Sequence, residues 1–534
     1  MAEIQYEHGH HTNPRRVCER LLISGDLVLE TPAHFGGDKD ESVSTDMTLL
    51  RDEIDGSPLL PGTTLAGALR NYLRQRLLGY DDTKKSSSIV VRLFGPTRES
   101  GEDDASDQSA VIVDDSRTRN ERVTLRDGVR IDPRTRTQRR LDETLGDYGR
   151  DGVRIDPRTR TAYYDEKSGG AKFDMELLET GVVFPLNIEI VLTPDRSADV
   201  VLPYVALALQ GLKNGEIRLG LRKQRGFGQC RVNSWTVSRY DLRHPEDLCL
   251  WLATPTHEHR ADAVTKATIG EALGLNAATE DARKHFTVEA TFGLQGSSLL
   301  IRSGFGAADT DADMVHLHSL DLNGERVPVI PGTSWAGVVR HRARRIVNTI
   351  GAALGKSVPN YLDDPEIICE LFGVGPQTGD KVGKSSKVRF DETRVKNGQT
   401  LYQTRVRIDR FTGGAYPGGL FEEAPVYGTE DTRVCFRLYA RDPEPWEKGL
   451  LLLVLKDLWT GDLPIGGEAS VGRGRLTGLS ATIYDRIEGA DLHCYTLFAG
   501  KPALGLTSEQ QAQMQEYVTA LWEKLEKTSE VNYA

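Results

Sequence analysis

Pro58-Leu59-Leu60-Pro61-Gly62-Thr63-Thr64-Leu65-Ala66-Gly67 runs on to Leu69 and Arg70, and the pattern returns 270 residues later. There it reads Pro328-Val329-Ile330-Pro331-Gly332-Thr333-Ser334-Trp335-Ala336-Gly337, followed by Val339 and Arg340. Arg74 meets Arg344 at the same offset. Leu93-Phe94-Gly95 recurs as Leu371-Phe372-Gly373, and Val153-Arg154-Ile155-Asp156 as Val406-Arg407-Ile408-Asp409. Gly215, Gly220, Gly226 and Gly228 recur as Gly461, Gly466, Gly472 and Gly474, each shifted by 246. The blocks keep their order, and the offsets drift only as loops change length. The chain is therefore a duplication. At 534 residues it also exceeds what one apolar core usually serves, which agrees with two units.

Each copy reads as α+β. The runs 21–29 and 286–292 are predicted first strands, rich in apolar and β-branched residues. The Pro-Gly turns then open helices that Thr63 or Thr64 can cap in the first copy. Leu65, Leu69, Tyr72, Leu73 and Leu77 share one helical face, and Arg70 and Arg74, four apart, share another. The segments 201–212 and 450–459 are predicted second helices, each followed by its glycine-rich loop and closing strands. A strand-first unit with two helices suggests a ferredoxin-like, RRM-like architecture. The first domain is expected over 1–240 with an insertion at 97–149, a linker over 241–285, and the second domain over 286–534. The second ends in an amphipathic helix from Ser508, with Ser508 and Gln511 as a capping box. Inside the first copy, Arg126–Thr137 returns residue for residue as Arg150–Thr161. The stretch 150–164 is the expected counterpart of 403–416, and 126–149 an insertion.

The net charge of −11 argues weakly against a chain coated in nucleic acid, but the charge is clustered. Residues 117–160 hold thirteen arginines and no lysine against eight acids. That run reads either as a solvated insertion or as a basic arm tracking phosphates. The six cysteines form no Cys-x-x-Cys pair, so neither a zinc site nor a disulfide framework is implied. The N-terminus carries no apolar signal segment, and no apolar run is long enough to cross a bilayer. The expected location is cytoplasmic.

These blocks resemble the RAMP superfamily (repeat-associated mysterious proteins), specifically the backbone subunits of type III CRISPR effectors. A single chain with two such units resembles the fused subunits of the III-D branch. The family's helix-start lysine is replaced by Ala66 and Ala336, and its serines by Thr63, Thr64 and Thr333, with Ser334 retained. Its hairpin arginine is Pro157 in the first copy and Arg410 in the second. Arg70 and Arg340 are the cations left to take over at the helix starts, with Arg74 and Arg344 one turn on.

The resemblance implies a subunit that wraps guide RNA paired to a complementary target, alongside other effector subunits and with no membrane partner. The glycines of Gly226-Phe227-Gly228 and Gly472-Arg473-Gly474 can bring backbone amides to phosphate, and Arg222, Arg225 and Arg473 add charge. In the family a thumb hairpin pushes between bases. Here its candidates are Arg154, Ile155, Tyr163 and Tyr164 in one copy, and Arg407, Ile408 and Tyr416 in the other. The family's cleaving aspartate corresponds to Asp46 and Asp313, each followed by methionine at an offset of 267, with Asp311 a rival. Such an aspartate assists attack by the RNA's 2′-hydroxyl, by taking its proton or by holding a divalent metal, Mg2+ or Mn2+. The chain is thus expected to be a guide-directed endoribonuclease. Two other readings stand beside it. One is a non-catalytic RNA-binding scaffold of the same complex. The other is a processing nuclease using histidines such as His34, His316 and His318.

Overall fold

The computed structural model describes residues 16–36, 47–80, 87–96, 108–119, 129–131, 138–140, 147–153, 164–165, 169–170, 172–255, 257–296, 298–301, 312–356, 364–374, 383–488 and 491–527. The duplication is visible as two antiparallel sheets of the same order. In the first copy the strand Glu19–Leu29 lies between Trp235–Asp241 and Val183–Leu192, and Val111–Val113 flanks the latter. In the second, His285–Leu294 lies between Leu476–Glu488 and Arg433–Arg441, and Val388–Phe390 flanks the latter. Among the described residues, these four strands and the two long helices of each unit run strand, helix, strand, strand, helix, strand. The chain is α+β, as expected.

Alternation explains the sheets. In Val183–Leu192 every second residue is buried, so Phe184, Leu186, Ile188, Ile190 and Leu192 face the helices. Above them lie Gly62–Leu78, with Leu65, Leu69 and Leu73 inward, and Ala198–Lys213, with Val201, Val205 and Leu209 inward. The second copy repeats this with Gly332–Ala353 and Pro445–Trp459 over Val288, Phe292, Phe436 and Leu438. The C-terminal helix Ser508–Lys527 packs on Pro445–Trp459 through Tyr517, Leu521 and Leu525. The two helices approach so closely that a Cβ on Gly449 would lie 2.1 Å from the Tyr517 carbonyl.

The expected caps are corrected. Pro61 and Pro331, not a threonine, are the N-caps of the two first helices, and neither helix has a side-chain cap from its own chain end. An extended proline enters the helix directly, and the Gly62 N–H is satisfied instead by the Asp115 carboxylate at 2.7 Å. At the C-terminal helix the reciprocal pair is Thr507 with Gln510, one residue earlier than expected. The expected linker is also more than a connector. Val264–Lys266 extends the first sheet, and Ile269 and Ala272 enter the first core.

The copies pack on one another. Arg218 pairs with Asp391 at 2.6 Å, Arg394 donates to the Glu30 carbonyl at 2.9 Å, and the Tyr80 and Tyr439 hydroxyls meet. Ser319 donates to the buried Glu179 carboxyl at 3.3 Å. No helix among the described residues is long and apolar enough to cross a membrane.

Candidate nucleic-acid interface

In the second copy a hairpin of Gln403–Ile408 and Ala415–Ala424 forms a small sheet of its own with Met314–Val315. Its turn is built by Asp409, whose carboxylate accepts from the Phe411 and Thr412 N–H groups at 2.8 and 2.9 Å. Those bonds hold the Asp409 carboxyl below the usual carboxylate range. Gly413, at φ +68°, closes the turn in the left-handed region that glycine adopts freely. Along the finger, Tyr402, Val406, Ile408, Tyr416 and Leu420 are exposed, and Phe411 at the tip is 95% exposed. The Arg407 guanidinium stacks over the Tyr416 ring at 4.7 Å. Sequence reading names Arg407, Ile408 and Tyr416 but misses Phe411. The missed signal was an aromatic between a turn-forming aspartate and two glycines, where no core can claim it.

Asp313 sits at the root of this hairpin. It is exposed, and its Oδ2 accepts from the Glu422 N–H at 2.9 Å. Met314, the next residue, pairs in parallel with Glu423, as Met47 pairs in parallel with Met175. Arg150 lies opposite Met175 as Gln403 lies opposite Glu423, the equivalence expected from the alignment of 150–164 with 403–416. The two methionines therefore hold the same place in their units. Asp46 and Asp311 lie outside the described residues, as do Arg154, Ile155 and Tyr163. Tyr164 begins the short strand Tyr164–Asp165.

Beneath the two methionines the copies differ. In the second, Glu423 is fully buried and pairs with Arg473 at 2.6 Å, Arg473 being only 3% exposed. Arg405 at 3.2 Å from Glu423, and Glu468 at 2.6 Å from Arg473, complete a four-membered network. Arg473, expected among the RNA-binding cations, thus points inward and braces the hairpin root. In the first copy the equivalent positions are Met175 and Phe227, which form a small apolar cluster with Met47 packed against it.

The glycine loops share a left-handed backbone at matched positions. Gly226 and Gly472 have φ of +92° and +87°, Gly228 and Gly474 +72° and +77°. Even Arg222 and Glu468 share a left-handed φ, +56° and +55°. A Cβ on Gly228 would meet the Leu219 carbonyl at 1.8 Å, and one on Gly474 the Ile465 carbonyl at 2.0 Å, so these two glycines let the loop fold back on itself. Gly226 instead lies against the second copy, with Glu392 N 2.6 Å from an added Cβ.

The helix-start arginines have local partners. Arg70 donates to the Phe94 carbonyl at 3.5 Å and Arg340 to the Phe372 carbonyl at 3.4 Å, each tying the Leu-Phe-Gly helix to the first helix. Asp364 holds both Arg340, at 2.6 Å, and Arg344, at 3.4 Å. Arg74 is half-buried on its helix. Burial, with Arg340 nearby, lowers the Arg225 pKa, so the junction gathers cations from both copies.

The histidines are turned inward. His34 donates from Nδ1 to the Glu176 carbonyl at 2.7 Å, and His318 from Nδ1 to the His316 carbonyl at 2.9 Å. Burial lowers the pKa of His34 and of His318. The His316 and His318 rings meet edge to face at 6.2 Å. Among the described residues, no three His, Cys, Asp or Glu side chains gather as a metal cage. Asp313 offers one carboxylate, which suits Mg2+ only together with water and phosphate oxygens.

A family model described as RAMP superfamily matches residues 26–231 and again 297–477. A search of the curated proteins found no match.

Proposed function

This chain belongs to the RAMP superfamily in both of its halves, and from that premise we propose that it is a double backbone unit of a type III CRISPR effector, a fusion of the III-D kind. In this reading each half is a ferredoxin-like, RRM-like domain with a thumb hairpin. The chain holds guide RNA paired to a complementary target and cuts the target at regular intervals within a cytoplasmic complex. Base pairing reads sequence, and the protein reads backbone and shape.

One observation carries the proposal: an exposed apolar hairpin, tipped by Phe411, is rooted beside the exposed carboxylate of Asp313. A solvated loop has no use for such a surface, whereas a splayed nucleic acid supplies stacking partners for it. Phe411, Ile408 and Tyr416 take the place of lost base stacking, and Arg407 follows the backbone. The displaced nucleotide leaves the RNA kinked, which brings its 2′-oxygen in line with the adjacent phosphorus. That oxygen bonds to phosphorus as the P–O5′ bond breaks and the leaving O5′ takes a proton from water, giving a 2′,3′-cyclic phosphate and a 5′-hydroxyl. Asp313, and Asp46 in the other unit, accept the 2′-proton. The same two carboxylates would hold a divalent ion, Mg2+ or Mn2+, which would supply neutralisation of the charge that develops on the phosphate. Chelation is expected to stop cutting, and cleavage that survives it contradicts the metal-assisted role of the carboxylates.

The hairpin is tested by replacing target bases one at a time with fluorescent 2-aminopurine in the guide-loaded complex. Unstacked positions should brighten at a regular spacing. Phe411→Ala should quench the position it serves and weaken target binding by about 1–3 kcal/mol, the worth of one stacked base. An unchanged pattern and affinity would remove the hairpin from the RNA site.

A further inference from the structure

The two copies meet as plug and socket. The loop 222–226 of the first copy lies across the helix start of the second. A Cβ on Gly332 would come within 2.3 Å of the Arg225 carbonyl, and one on Gly226 within 2.6 Å of the Glu392 nitrogen. Arg218 reaches the same place and pairs with Asp391 at 2.6 Å, both residues being buried.

The first copy carries an equivalent socket. A Cβ on Gly62 would lie 2.1 Å from the Val113 carbonyl, as one on Gly332 would lie 2.5 Å from the Phe390 carbonyl. Val113, Asp114 and Asp115 therefore correspond to Phe390, Asp391 and Glu392. Asp391 is buried by its plug, whereas Asp114 and Asp115 are exposed. Asp114 has His257 at 3.2 Å and Asp115 accepts from the Gly62 N–H. The acid that receives an arginine in one copy is thus present and solvent-facing in the other.

The second copy also carries an equivalent plug, with its glycines in the same backbone conformation. A Cβ on Gly472 meets no described atom within 4 Å, and Val471 beside it is 62% exposed. Its chemistry has changed, however. Where the first plug has Arg218, Arg222, Lys223 and Arg225, the second has Pro464, Glu468, Ala469 and Val471.

We propose that the exposed socket at Gly62, Asp114 and Asp115 receives an arginine-bearing glycine loop from a different chain of the same fold, and that this chain's own second plug is excluded from it. The proposal rests on the reading of the chain as one unit of a larger complex. Identical units joined plug to socket would propagate without closing. A plug that lacks the four cations of the first and carries Glu468, its Arg473 being held by Glu423, leaves Asp114 and Asp115 uncompensated, which rejects self-docking, while a basic plug is attracted. The chain therefore has two unlike ends and a fixed polarity.

Analytical ultracentrifugation of the full chain, without RNA, tests this separately from any RNA activity. The wild type should remain monomeric. The graft Pro464→Arg with Ala469→Lys and Val471→Arg should give concentration-dependent oligomers, and adding Asp114→Lys should return them to monomer. Ala469→Lys with Val471→Arg, which spares Pro464, provides a milder graft should the triple variant melt early. Grafts that stay folded and monomeric overturn the proposal. So does a wild type that self-associates through Asp114, since a second copy would then be the occupant.

Discussion

Glu423 and Arg473 show how one position can be solved twice. Two charges with almost no exposure are stabilised only because each faces the other, with Arg405 and Glu468 supplying the remaining partners. Arg473→Ala would leave the Glu423 carboxylate buried without its closest partner, a loss of about 3–5 kcal/mol. The first copy shows the alternative, Met175 and Phe227 in the same places. The double change Glu423→Met with Arg473→Phe should therefore be far milder than the single one, because Arg405 and Glu468, 3.7 Å apart, still pair. Urea denaturation of the full chain checks both. Equal destabilisation by the single and double variants would count against the ion pair as the cause.

Elements meet at the junction between the copies, and one of their contacts is set by pH. Glu179 follows the strand Lys172–Leu178, in the turn before Val183–Leu192, and is buried against Ser319 of the second copy. Burial first, and the nearby Glu392, raise its pKa well above the usual carboxylate range, although hydrogen bonds from Thr180 and Ser319 oppose this. A carboxyl raised on folding adds stability that is complete below its unfolded-state pKa. That stability is lost as pH rises through the folded value. Glu179→Gln keeps a neutral group of the same shape. It should therefore flatten the fall in melting temperature from mildly acidic to alkaline pH. Thermal melts across that range decide it, and a Gln variant with the wild-type slope would place the titration elsewhere. The glycine loops belong to this scale too: Gly226 and Gly472 share a backbone shape, yet one is pressed on a neighbour and the other faces open space.

For the whole molecule, the duplication was readable because each unit buries its own core, and burial writes a period into the chain. Leu65, Leu69 and Leu73 fell on the helical face assigned to them, and strand alternation located both sheets. What escaped was whatever depends on partners distant in sequence. Arg473 looked like a surface cation because nothing nearby announces Glu423, fifty residues away. Asp115, just after the strand Val111–Val113 in a stretch expected to be an insertion, takes the Gly62 N–H in place of a threonine cap. Phe411 went unnoticed because apolar residues are ordinarily assigned to cores, and this one is left in solvent. Of the candidate site, Asp313 lies at the root of the hairpin that carries Arg407, Ile408 and Tyr416, whereas Arg340 and Arg344 are held by Asp364. A molecule with two such units, joined in fixed order, should present two equivalent cutting positions on one bound target. The most direct test uses the assembled, guide-loaded complex with end-labelled complementary RNA and magnesium, comparing wild type, Asp46→Ala, Asp313→Ala and the double variant. Each single change should delete its own band from a regular ladder, and the double change should delete both. A ladder unchanged in all three variants, with target binding intact, would make the chain a scaffold whose neighbours do the cutting.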